Sequence, residues 1–195
     1  FAVFGARYAG KHGSKKAIVD WTWACIGTSV LMILFFVLIR NNTAAIAAMG
    51  SLPMIGYVLI TFLCRGTQMC VTTSATSFMA DVIDYELDRS GRYIPAVVSG
   101  TYSLIDKIIS SFGAVLATGC IALIGYTNTV PQPTDPLTPS VFWMTLALMY
   151  VLPIIGWIIT LIAMKPCKLD KAEMVEVQKR IAEKKAEAKA ELAAE

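Results

Sequence analysis

The chain has 195 residues, 56% of them hydrophobic and 16% charged, with a formal net charge of +3 and a mean hydropathy of +0.61. Its apolar residues fall in long runs instead of the alternating or three-to-four spacing of soluble elements, which excludes an ordinary soluble domain and predicts an all-α, polytopic membrane helix bundle. Of the 17 Lys and Arg, 8 lie from Lys165 onward beside 7 acids, so no basic surface for nucleic acid forms.

The sequence opens at Phe1, without an initiator Met, a basic n-region or a small-residue cleavage site, and a fragment lacking its N-terminal part is expected. Arg7, Lys11, Lys15 and Lys16 then precede a first predicted span at about 17–39, which carries Asp20, Trp21 and Trp23 at its start. A second span is predicted over about 53–84, a third over 95–126 and a fourth over 140–164, each meeting the roughly 20 apolar residues that a bilayer core of about 30 Å requires. Residues 1–164 therefore form the expected transmembrane bundle and 165–195 a charged tail.

Loop charge sets the expected topology. Lys and Arg collect before the first span, between the second and third at Arg89 and Arg92, and after the fourth. Arg40 stands on the other side, as does a Pro-rich loop over 127–140 without Lys or Arg. This alternation predicts cytoplasmic basic segments, a cytoplasmic C-terminal tail and a multi-pass protein of the plasma (inner) membrane. It also argues that 53–84 is one helix, despite Arg65 and Gly66, because an extra span would move the Arg89 loop outside. Arg65 is then expected to be buried near mid-span. Pro95 suits a helix first turn, and Pro153, inside the fourth span, predicts a kink. The tail, rich in Ala, Glu and Lys, is expected as a solvated helix or as disorder, with Glu176–Arg180 and Lys179–Glu183 at helical pairing distance.

The third span carries the chemistry. Ser99, Tyr102, Ser103, Asp106, Ser110 and Gly113 follow helical spacing and form a polar stripe with Lys107 on its flank, opposite Val97, Leu104, Ile105 and Ile108. Ionisable groups in a membrane persist where they line a watery cavity, pair, or meet a substrate or ion, so a transport pathway competes here with polar glue between helices. On the second span Arg65, Gln68, Thr72 and Thr76 share a face. The guanidinium fork of Arg65 suits either substrate hydroxyls or a carboxylate partner.

At the end of that span Asp81 and Asp84 stand one turn apart, with Arg89 and Arg92 placed to compensate acids that oppose the helix dipole. A charge-locked gate and a solvated loop are the two readings. The acids Asp81, Asp84 and Asp88 also spell DxxDxxxD, a spacing that an intramembrane metal-dependent prenyltransferase uses for diphosphate. Such an enzyme needs a second acidic cluster on another helix, and here Asp106 stands alone. A non-transport membrane scaffold is the remaining alternative. The five cysteines show no CxxC pair, the single His12 sits in a basic segment, and neither a metal site nor a resident cofactor is expected.

Residues 79–126 resemble the glycoside-pentoside-hexuronide:cation symporters, the melibiose-permease-like family of the major facilitator superfamily. The matching blocks are Ala80 to Tyr85, Ser90 to Arg92, Lys107, the small residues Ser110 to Ala117, and Leu123 to Tyr126. Gly5, Gly13, Lys15 and Lys16 are similar to the Gly- and basic-rich loop of major facilitators, with Ala9 where an acid is common. The resemblance implies helices nine to twelve of a twelve-helix transporter, with a missing N-terminal half-bundle as the partner. It further implies a sugar or glycoside moved with Na⁺ or H⁺ by alternating access, and no enzyme activity. Lys107 matches a lysine near the family's cation and sugar sites, Tyr102, Ser103 and Asp106 match cavity positions, and Thr72 replaces an aromatic that stacks on sugar. This chain alone is then expected not to transport.

Overall fold

A computed structural model of the chain describes residues 1–126, Gln132 and 137–194, with backbone alone at 188 and 191–194. Most of the Pro-rich 127–140 loop lies outside the described residues. Among these described residues seven α-helices follow in chain order: α1 (Ala2–His12), α2 (Ser14–Leu38), α3 (Leu52–Ser90), α4 (Pro95–Leu123), α5 (Pro139–Leu146), α6 (Leu152–Met164) and α7 (Lys171–Ala194). A short 3₁₀ segment, Arg40–Ile46, links α2 to α3, and a π-helical turn, Ala147–Val151, joins α5 to α6.

Among the described residues four stretches are long and apolar enough to cross a membrane: Ser14–Leu38, Leu52–Ser90, Pro95–Leu123 and Pro139–Met164. These are the four expected spans, and the protein is a polytopic all-α bundle. The second is one helix of 39 residues, as the parity of basic loops requires. Its ends differ from expectation because local capping decides them. Ser51 Oγ accepts the Met54 amide at 3.2 Å and so starts α3 beside Pro53. Gly91, at φ 72, ends it in the left-handed conformation, its amide bonding the Leu87 carbonyl at 2.9 Å. The third span stops at Leu123 rather than at 126, where Gly125 takes φ 101. Pro139 follows the N-cap Thr138, whose hydroxyl accepts the Val141 amide at 3.3 Å.

The interruption expected at Pro153 takes the form of the π-helical turn. Pro153 has no amide to give the Met149 carbonyl four residues back, and its ring crowds that carbonyl; the widened turn over Ala147–Val151 relieves both.

The described chain divides into two compact units. The first comprises Phe1–Ala24, Arg65–Thr101 and Thr160–Glu195. It therefore gathers the basic segments before α2, after α3 and after α6. Within it α1 meets α3 so closely that a Cβ on Gly5 would lie 2.9 Å from Cys70 Cα, which only glycine permits. Ser74 is fully buried and its hydroxyl bonds the Cys70 carbonyl at 2.8 Å, so its donor is satisfied within the helix.

The second unit comprises Cys25–Cys64 and Tyr102–Ile159. Cys25, Met32 and Cys64 are buried there, the Phe35 ring lies over Gly56, and Phe36 contacts Tyr57 and Tyr150 at ring-centroid distances of 6.0 and 6.2 Å. The Arg40 guanidinium sits 5.6 and 5.7 Å from the Phe142 and Trp143 ring centres. A cation at the end of an apolar span is thus held by aromatic faces.

The tail differs most from expectation. It is helical, and Glu176–Arg180 and Lys179–Glu183 pair at 3.6 and 3.9 Å as the spacing requires. It is not merely solvated, however. Met174, Val177 and Ile181, spaced along one face, are buried against Tyr85 and Leu87 of α3 and against Leu169.

Candidate functional site

On α4, Tyr102, Ser103, Asp106 and Lys107 all stand exposed, and this helix buries no residue of its own. Among the described residues neither Asp106 nor Lys107 enters an ion pair. The Lys107 carbonyl accepts the Ser111 hydroxyl at 2.9 Å, so the ammonium is the group that Lys107 has to offer. A carboxylate, an ammonium, a phenol and a hydroxyl within two turns can take hydrogen-bonding solutes or a small cation. On an otherwise apolar helix they would be expensive without such contacts.

On α3 the structure describes Arg65, Gln68 and Thr72 along the expected face. Arg65 was expected to be buried and is instead exposed, with Nη1 3.4 Å from Gln68 Oε1. One turn separates the two, and this long contact leaves most of the guanidinium donors uncommitted. Thr72 donates to the Gln68 carbonyl at 3.1 Å and Thr76 to the Thr72 carbonyl at 3.1 Å. Thr73, Ser74 and Ser77 do the same one turn back. Such back-bonding satisfies each hydroxyl hydrogen inside the helix. The remaining lone pairs act only as acceptors, so on this face Arg65 donates and Thr72 accepts.

The acids at the end of α3 find partners that the sequence did not suggest. Asp81 accepts a hydrogen bond from the Ser14 hydroxyl at the start of α2. Asp84 is half-buried. Neither Arg89 nor Arg92 reaches them: Arg89 Nη1 lies 4.0 Å from Glu86, and Arg92 falls beyond the turn at Gly91. The compensating cations come from α7. Arg180 Nε is 2.7 Å and Lys184 Nζ 2.8 Å from the Asp88 carboxylate, which is only 11% exposed. With Asp88 held by two cations and Asp81 by a hydroxyl, two of the three DxxDxxxD acids are committed to different partners. Among the described residues no group of three or more His, Cys, Asp or Glu is arranged to hold a metal.

A family model described as MFS/sugar transport protein matches residues 1–171. The chain belongs to the MFS/sugar transport protein family. It is similar, at 28% identity over 128 residues, to a protein of Escherichia coli (strain K12) named "Putative glycoside/cation symporter YagG". That match covers 65% of this chain and 25% of the relative, so the chain spans about a quarter of the relative's length. No solved structure matches. Membership of the MFS/sugar transport protein family, together with four apolar spans, makes this a multi-pass membrane protein.

Tyr8, which joins Asp20, His12 and Trp21 in a half-buried cluster of α1 and α2, was not singled out from sequence. Tyr8 donates to Asp20 at 2.7 Å, stacks on His12 with ring centres 4.3 Å apart and meets Trp21 edge-on at 5.7 Å. The hydrogen bond to the Asp20 carboxylate, and then desolvation, raise the Tyr8 phenol above its ordinary value. Both bonded residues lie at helical positions beside the Gly13 break, a spacing that gives no periodic signal.

Proposed function

We propose that the chain is the C-terminal part of a secondary transporter that moves a sugar or glycoside with Na⁺ or H⁺ by alternating access. The observation that carries this reading is the pair Asp106 and Lys107, exposed and without an ion-pair partner among the described residues, on an apolar helix of a sugar-transport family member. Lys107, Asp106, Tyr102 and Ser103 serve the substrate and cation cavity. Arg65, Gln68 and Thr72 meet substrate hydroxyls, Arg65 as donor and Thr72 as acceptor. Asp81, Asp84, Arg89 and Arg92 belong to the cytoplasmic gate, and the tail lies on the cytoplasmic side of the plasma membrane.

Coupling requires that cation and sugar each favour the binding of the other, a reciprocal free energy realised at a midplane site between rocking half-bundles. An ammonium beside a carboxylate suits this, because a bound cation changes the local charge balance that the sugar hydroxyls meet.

The test is sugar uptake by the full-length protein under Na⁺, H⁺ and Li⁺ gradients, comparing wild type with Lys107→Ala. Loss of a charged hydrogen-bonding group at a coupling site is expected to lower gradient-driven uptake roughly tenfold or more. Undiminished gradient-driven uptake in the variant removes Lys107 from the coupling site, and uptake indifferent to every gradient removes cation coupling.

A further inference from the structure

The C-terminal helix is attached to the rest of its unit at three places. Its root is pinned to the junction of α1 and α2: Lys15 Nζ lies 2.8 Å from Asp170 and donates to the Cys167 carbonyl at 2.5 Å, while Lys171 Nζ donates to the Lys11 carbonyl at 2.6 Å. Gly13 makes room for this contact, since a Cβ there would lie 3.0 Å from Lys171 Cβ. The middle of the helix is seated by Met174, Val177 and Ile181 against Tyr85 and Leu87. Beyond that seat, Arg180 and Lys184 close on Asp88, and Lys184 also donates to the Asp88 carbonyl at 2.9 Å.

These contacts differ in how firmly they hold. The root, although Asp170 is 67% exposed, is also tethered by the chain that arrives from α6, whereas the Asp88 end is held by side chains alone. Asp88 is nearly buried, whereas Arg180 and Lys184 are 42% and 58% exposed and open to water and salt. Removing one partner of a charged pair on a nearly buried carboxylate leaves that carboxylate without its compensation. The Asp88 end of the contact is therefore the releasable one. It lies on the same terminal stretch of α3 as Asp81 and Asp84, so whatever holds Asp88 restrains the backbone that carries those acids.

We propose that α7 is a detachable strap that restrains the terminal turns of α3, with Asp88 as the latch that Arg180 and Lys184 close. This goes beyond the transport reading and does not depend on which solute moves. Release of the latch frees α7 and loosens residues 81–90 together. Such coupled opening is what a locally cooperative unit shows in hydrogen exchange.

Hydrogen exchange of the full-length protein tests this, comparing wild type, Asp88→Asn and Asp88→Glu. In Asp88→Asn the amides of 81–90 and of α7 are expected to exchange roughly tenfold faster, in step, while Asp88→Glu retains protection. Raising salt on the wild type screens the exposed cations and is expected to shift both segments in the same direction, a route that needs no variant. The proposal is overturned if α7 keeps its protection in Asp88→Asn and in high salt, or if α7 loosens while 81–90 does not. Sugar uptake by the same wild-type preparation is a separate readout, so failure of the symport reading leaves this result standing.

Discussion

Tyr8 and Asp20 show what a single pair adds to a residue-level reading. A phenol that donates to a carboxylate at 2.7 Å resists ionisation, because the phenolate would lose the bond and face the negative charge. Its titration is expected above that of an ordinary tyrosine, and Asp20→Asn is expected to bring it back down. Ultraviolet difference titration, with Tyr8→Phe to isolate this one signal, measures both. The polar residues of α4 and α3 were visible from composition alone, since an ionisable group stands out in an apolar run. Their state was not: Arg65 is exposed instead of buried, and the hydroxyl hydrogens of Thr72 and Thr76 are used within the helix.

Helices obey more local rules, and most of their placement could be read in advance. Apolar length located all four spans, and Pro95 and Pro139 sit at helix starts as a residue without an amide hydrogen should. The errors fall at helix ends, where α3 continues six residues past 84 because its charged last turns are covered on one side by α7 and closed by Gly91. Pro153 offers a test at this scale. In Pro153→Ala the new amide can bond the Met149 carbonyl, and the π-helical turn over Ala147–Val151 is expected to revert to α-helix. Slow exchange of the amide gained at position 153, or a structure of the variant, checks this. Rapid exchange of that amide would mean that packing, rather than the missing donor, sets the turn.

At the scale of the molecule, the first unit joins three segments distant in sequence, and α7 is part of it. Val177 is fully buried on the docking face. Replacing it by Asp forces a carboxylate into an apolar seat, and the cost is expected to be about 2 kcal/mol, limited by what docking of α7 contributes. A lowered thermal midpoint of the full-length protein would register it. An unchanged midpoint would show that α7 adds nothing to the stability of the unit.

Sequence by itself determined that this is a membrane protein, that its described residues hold four apolar stretches long enough to cross a bilayer, and the family to which the loop and helix blocks belong. Each of these depends on runs of neighbouring residues and on the fixed thickness of a bilayer. Only tertiary structure decided who pairs with whom. Asp88 and Arg180 are 92 residues apart, and at each the local spacing offers a nearer partner: Arg89 and Arg92 for the acid, Glu176 for the cation. Folding brought the tail to the end of α3 because three apolar side chains on one face of α7 needed cover, and the charges beside that face then found each other.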